Sequence, residues 1–132
     1  MPLGASRVAG NWPDYESFRH YLWKDLIEND WSFDFIGTRE DGAIYPLVDS
    51  TFFDPDHEGV GGHTSDEILV GLFTWLRETG APDVVLFSSP GGNDILNREP
   101  TESIVNNIQG IIDILQKVNP NIGLADFLQH VL

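Results

Sequence analysis

The chain contains no cysteine, which excludes a disulfide framework, a thiolate nucleophile and a cysteine-ligated metal centre. Positive charge is scarce: 7 Lys and Arg stand against 21 Asp and Glu, for a formal net charge of −14 over 132 residues. Phosphate contacts need clustered Lys and Arg, so nucleic acid and anionic membrane surfaces are disfavoured as partners. No apolar run approaches the roughly 20 residues of a membrane-spanning helix. No basic-then-apolar leader opens the chain, and that pattern leaves secreted and cytoplasmic locations both open. Internal repeats and low-complexity linkers are missing as well. One domain covering residues 1–132 is therefore expected.

What is present is a foldable apolar fraction of 41% with 4 Trp. Asp83–Val84–Val85–Leu86–Phe87–Ser88 is a short apolar run that stops in the loop Ser89–Pro90–Gly91–Gly92–Asn93–Asp94. Such a run, bounded by turn residues, reads as a strand buried on both faces. The loop sets an amide and a carboxylate at the strand's C-terminal end, where ligands bind in open α/β sheets. Two further glycine-rich turns, Gly4–Ala5–Ser6 and Gly59–Val60–Gly61–Gly62, are candidates to meet it there.

The remaining pattern alternates helices with strands. Met1–Leu3 is apolar and ends at Gly4, as the end of a strand does. Tyr15, Phe18, Leu22 and Leu26 follow helical spacing, so a helix is expected over Asp14–Glu28, with Asp14 as N-cap, Lys24 solvated, and Arg19 either solvated or pinning a loop. Trp31–Ile36 alternates and ends at Gly37, predicting the second strand. Thr38–Gly62 is long and irregular, and its Asp41, Asp49, Asp54, Asp56 and Glu58 read as a solvated acidic loop that lacks calcium-loop spacing. Thr64 with Glu67 is a capping box that opens a helix ending near Gly80–Ala81–Pro82. Ile104, Ile108, Ile111 and Leu115 mark another helix from about Thr101 to Val118. After Asn119–Pro120–Asn121 the segment Ile122–Leu132 leans towards a short helix.

Taken together, the three turns resemble the sequence blocks of the SGNH (GDSL-type) hydrolases. Gly4–Ala5–Ser6 with Gly10 is similar to the nucleophile block, Gly62 falls where the second block has its glycine, and Gly91–Gly92–Asn93–Asp94 matches the Gly-x-Asn-Asp block. Met1–Pro2–Leu3–Gly4 and Asp56–His57–Glu58–Gly59 look most like the acetylxylan-esterase-like branch. The resemblance covers about Met1 to Asn121. It implies a three-layer, flavodoxin-like α/β fold with a parallel sheet flanked by helices. It also implies a serine ester hydrolase acting without cofactor or metal on acetylated carbohydrate or small acyl esters. Ser6 would be the nucleophile, and the backbone N–H groups of Ser6 and Gly62 with the Asn93 amide would form the oxyanion hole. Asp94 would tie the loop.

Two positions depart from the pattern. Ala5 replaces the Asp that precedes the serine. The family's closing Asp-x-x-His block, which supplies the general base and its orienting acid, is met only by Asp126-x-x-x-His130. His63 is the other histidine near the oxyanion glycine, with loop packing as its simpler role. The family's later strands also lack a match, so the sheet is expected in the order 2-1-3, cut short after its third strand and the helix behind it. Strand 83–88 would then be an open apolar edge that favours homo-oligomers, unless the C-terminal segment covers it. The alternative function is an impaired remnant that keeps the fold and ligand binding without turnover.

Overall fold

The computed structural model describes residues 1–126. Its elements run β1 (Pro2–Gly4), α1 (Ser6–Ala9), α2 (Arg19–Glu28), β2 (Arg39–Glu40), β3 (Asp56–Gly59), α3 (Ser65–Thr79), β4 (Val84–Ser88), α4 (Gly92–Leu96), α5 (Thr101–Val118) and β5 (Gly123–Asp126). The sheet order is β2-β3-β1-β4-β5. All neighbours are parallel except β2, which pairs antiparallel with β3. The chain crosses one way from β1 to β3 and the other way from β3 to β4 and β5. Right-handed crossovers then put α2 on one face and α3 with α5 on the other. This is the flanked α/β sheet that the sequence pattern implies.

The core lies where α3 and α5 cover the sheet. Leu3, Leu72, Val85, Ile111 and Leu115 have no exposed surface there, and Ile68, Leu76 and Phe87 pack around them. On α2's side the buried apolar groups are Val8, Trp23 and Phe35. α3 starts in the expected capping box, with the Thr64 N–H donating to Glu67 Oε2 at 2.9 Å. It ends at Gly80, whose φ of 86° suits a residue without Cβ. α5 occupies the expected span.

Four expectations fail, each for a local reason. Trp31–Ile36 forms no strand: the Phe35 and Thr38 N–H groups donate to the Asp54 and Glu58 side chains at 2.7 Å each, not to a neighbouring backbone. The strand beside β1 is Asp56–Gly59, inside the stretch expected to be irregular. Its polar residues are buried because they are satisfied. Glu58 takes bonds from the Thr38 backbone and hydroxyl, and His57 Nδ1 accepts the Gly59 N–H at 3.0 Å. Asp14 caps no helix, because its N–H and that of Tyr15 close a turn on the Asn11 carbonyl at 2.8 and 3.0 Å. Helix α2 accordingly begins at Arg19 and buries Arg19 and Trp23 instead of the expected apolar face.

The fourth correction concerns the edge. Gly123–Asp126 is a strand, not a helix, and it pairs with β4 from Val84↔Gly123 to Phe87↔Asp126. The parallel sheet thus runs one strand past the expected end, and β4 is interior. Among the described residues β5 is the edge strand on that side of the sheet. His130 lies outside the described residues. Removing residues 122–132 should expose β4 along its whole length and drive self-association. Sedimentation velocity on the full and shortened chains, at matched concentrations, measures the difference.

Candidate active site

The register of the sheet brings three loops together. Gly4, the last residue of β1, lies opposite Gly59 at the end of β3 and opposite Ser88 at the end of β4. The loops that follow all leave the same edge, at the point where the chain changes crossover direction. The first turn is set by Gly4, whose φ is +154°. A Cβ at Gly4 would stand 2.8 Å from the Ser88 carbonyl oxygen and 2.9 Å from Val8 Cγ2. Only glycine lets β1 pass so close to β4 and swing at once into α1, which Ser6 opens.

Ser6 and Asn93 line one cleft of about 360 Å³, together with Ser89 and Leu96. The loop carrying Asn93 is not a bare glycine loop. It folds into α4, and Asn93 sits in the first turn. Two adjacent side chains bolt it to the loop after β3. Asn93 Nδ2 donates to the His63 carbonyl at 2.7 Å. Asp94, buried, accepts the Ser65 N–H at 2.8 Å and the Ser65 hydroxyl, which also takes a bond from Asn107. Asp94 thus holds the start of α3, the tying role that the resemblance implied.

Gly62 is exposed, has φ of 84°, and a Cβ there would meet nothing within 4 Å. It is one residue from the His63 carbonyl that holds Asn93, but it does not line the Ser6–Asn93 cleft. Among the described residues the Ser6 hydroxyl has no hydrogen-bond partner, and no histidine is bonded to it. His57 is buried, with its Nδ1 taken by the Gly59 N–H. His63 stacks on Trp75 with ring centres 6.3 Å apart, and its Nδ1 is buried without a partner. His20 stacks on Tyr45 at 4.0 Å. Asp126 is in β5, opposite Phe87.

Arg19 is the residue that sequence reasoning undervalued. It has no exposed surface. Its guanidinium donates to the carbonyls of Val8 at 2.7 Å, Ala9 at 3.3 Å and Pro55 at 3.2 Å, and to Asp41 Oδ2 at 2.9 Å. Val8 and Ala9 end the short helix that Ser6 begins, so Arg19 anchors the Ser6 turn from behind. Asp41 is likewise no solvated loop acid: it also accepts the Ala43 N–H at 2.8 Å and the Tyr45 hydroxyl at 3.3 Å. The available signal was spacing, since Arg19 stands four residues before Trp23 on the face that buries.

Two stability effects should follow. Arg19→Met leaves Asp41 enclosed without its cation, so a loss of about 3–5 kcal/mol is expected in urea unfolding, partly regained in Arg19→Met with Asp41→Asn. Burial first, and Arg19's charge second, push the His57 imidazole down to about 4. An unfolded histidine takes its proton near 6.5, so between those values the unfolded state binds more protons. Stability should fall by up to about 3 kcal/mol as pH drops through that window and level off below it. His57→Gln should flatten that part of the stability–pH curve.

No family model matches the chain, and no curated protein sequence does. Solved structures do. It is 33% identical to a family 3 carbohydrate esterase of Clostridium thermocellum, with a TM-score of 0.75 over 96% of this chain and 58% of that one. It is 25% identical to a family 3 carbohydrate esterase of Talaromyces cellulolyticus, with a TM-score of 0.76 over 96% of this chain and 59% of that one. An acetyl esterase mutant crystallised with acetate ion, 24% identical, shares the fold at a TM-score of 0.78, again over 96% and 59%. The chain spans less than two thirds of the length of each of these proteins. By fold and by sequence, it is an SGNH-type α/β domain akin to the family 3 carbohydrate esterases.

Proposed function

We propose that the chain serves ester hydrolysis, with Ser6 as nucleophile and an acetylated carbohydrate or small acyl ester as substrate. The observation that carries this reading is the shared cleft of Ser6 and Asn93 at the carboxyl edge of β1 and β4. Ser6 Oγ attacks the ester carbonyl, its proton passes to a base, and the carbonyl oxygen takes the negative charge. In this reading the Ser6 backbone N–H and the Asn93 amide receive that charge, whereas Gly62, which the resemblance adds as a third donor, lies outside the lining of the cleft. Asn93 spends one N–H on His63 and has a second to offer. An amide suits the position because a carboxylate would repel the oxyanion. The alcohol leaves with the proton, and water then attacks the acyl-serine to release the acid and restore Ser6.

The base in this reading is His130, oriented by Asp126. A positioned base contributes typically 10²–10⁴-fold. No described histidine is hydrogen-bonded to Ser6, and that observation favours the second reading, an impaired domain that binds ligand and turns over slowly. Oxyanion stabilisation and binding alone leave about 10³–10⁴-fold catalysis over water.

Hydrolysis of a chromogenic acetate ester by the purified chain tests both readings. Ser6→Ala should remove the activity, and Asn93→Ala should lower kcat by roughly 10²–10³-fold. Loss in His130→Ala as well assigns the base to His130. Parent activity no higher than that of Ser6→Ala selects the impaired domain, and full activity in Ser6→Ala overturns the hydrolase assignment.

A further inference from the structure

The His63 carbonyl that holds Asn93 belongs to a residue fixed on three sides. Its N–H donates to the Val60 carbonyl at 3.2 Å and closes the turn through Gly61 and Gly62. The peptide unit it shares with Thr64 is gripped at the other end by Glu67, which accepts the Thr64 N–H at 2.9 Å. Its ring lies against Trp75 with ring centres 6.3 Å and planes 17° apart, an offset stack. Nδ1 of that ring is buried without a hydrogen-bond partner among the described residues. At that edge the stack, and not a polar bond, sets how the ring lies.

Trp75 reaches His63 because of Gly71. Long helical side chains lean towards the helix N-terminus, over the turn four residues back. For Trp75 that turn presents Gly71, and a Cβ there would run into Cζ2 and Cη2 of the indole. The indole therefore rests on bare backbone of α3, and it also packs against the main core cluster. We propose that Gly71 and Trp75 are positioning residues for Asn93. The space at Gly71 seats the indole, the indole seats the His63 ring, and the ring aims the carbonyl that orients the Asn93 amide.

Neither Gly71, Trp75 nor His63 lines the Ser6 cleft, so the relay acts only through the amide. A side-chain amide carries two N–H groups in one plane, and holding one fixes the direction of the other. Asn93 Nδ2 gives one to His63 at 2.7 Å, so a tilt of that carbonyl swings the second. Asp94 does not duplicate the task. Its bonds hold the N–H and hydroxyl of Ser65, two residues on, and fix where α3 begins rather than which way the His63 carbonyl points. The consequence for turnover rests on the hydrolase reading; the orientation of the amide does not.

The test is Gly71→Ala in the full chain. Alanine is the better helix former, so the variant should fold, and its methyl displaces the indole without removing it. In isotope-labelled protein the NMR signals of the Asn93 side-chain amide are identified by their loss in Asn93→Ala. They should shift in Gly71→Ala and in Trp75→Ala, and return towards the parent in Trp75→Phe, which keeps a ring for His63. With a chromogenic acetate ester, kcat should fall about tenfold in Gly71→Ala with KM little changed, a part of the roughly 10²–10³-fold that loss of an oxyanion donor costs. In an Asn93→Ala background the same substitution should not lower kcat further, because the amide it acts through is gone. Unmoved Asn93 side-chain signals in both Gly71→Ala and Trp75→Ala would overturn the relay. So would full kcat despite a shifted amide, or an equal loss of kcat with and without Asn93. A shifted amide in a chain with no turnover above Ser6→Ala leaves the orientation standing and removes the hydrolase reading. Turnover with an unmoved amide does the reverse.

Discussion

The buried guanidinium of Arg19 is the interaction on which the active edge depends. A cation with no exposed surface is costly unless every donor is used. Here the donors reach the end of α1, the approach to β3 at Pro55 and the carboxylate of Asp41. A four-residue helix cannot hold itself, since nucleation is unfavourable and its last carbonyls have no partners within it. Arg19 supplies those partners, and with them a fixed direction for the turn that starts at Ser6. In a chain of net charge −14, one desolvated cation also draws an acid out of water and closes the loop around it.

A second constraint is the row Gly59, Gly4, Ser88 across three parallel strands. Once that register is set, the loops after β1, β3 and β4 emerge side by side whatever their internal sequence. Glycine at position 4 is a consequence of packing as much as of chemistry, because the Ser88 carbonyl and Val8 leave no room for a side chain. Position 62 is different. Space there is free, and the left-handed φ alone asks for glycine.

The acidic composition looks different once folded. Asp41, Asp54, Glu58 and Asp94 are not a solvated halo but receivers of backbone and side-chain donors that would otherwise be stranded in loops. Backbone groups without a ladder partner must be satisfied by something, and here carboxylates do it. That explains how Trp31–Ile36 passes beside β3 with strand-like alternation but without a strand's hydrogen bonds.

The amino-acid sequence by itself determined the α/β class, the α3 and α5 helices, the buried strand at 84–88 and the three glycine turns. Each rests on local signals: periodic apolar residues, a capping box, a Gly stop, a short Val-rich run. The resemblance also paired Ser6 with Asn93, and the two line one cleft. Tertiary structure alone decided the rest. β3 is polar and became a strand because Thr38 and its own backbone satisfy Glu58 and His57, which no hydropathy pattern records. β5 formed because β4 offered a free edge and the Gly123 N–H could reach the Asp83 carbonyl at 2.8 Å. Arg19 went inside because four acceptors from distant segments converge on it, and convergence of that kind exists only once the chain has folded.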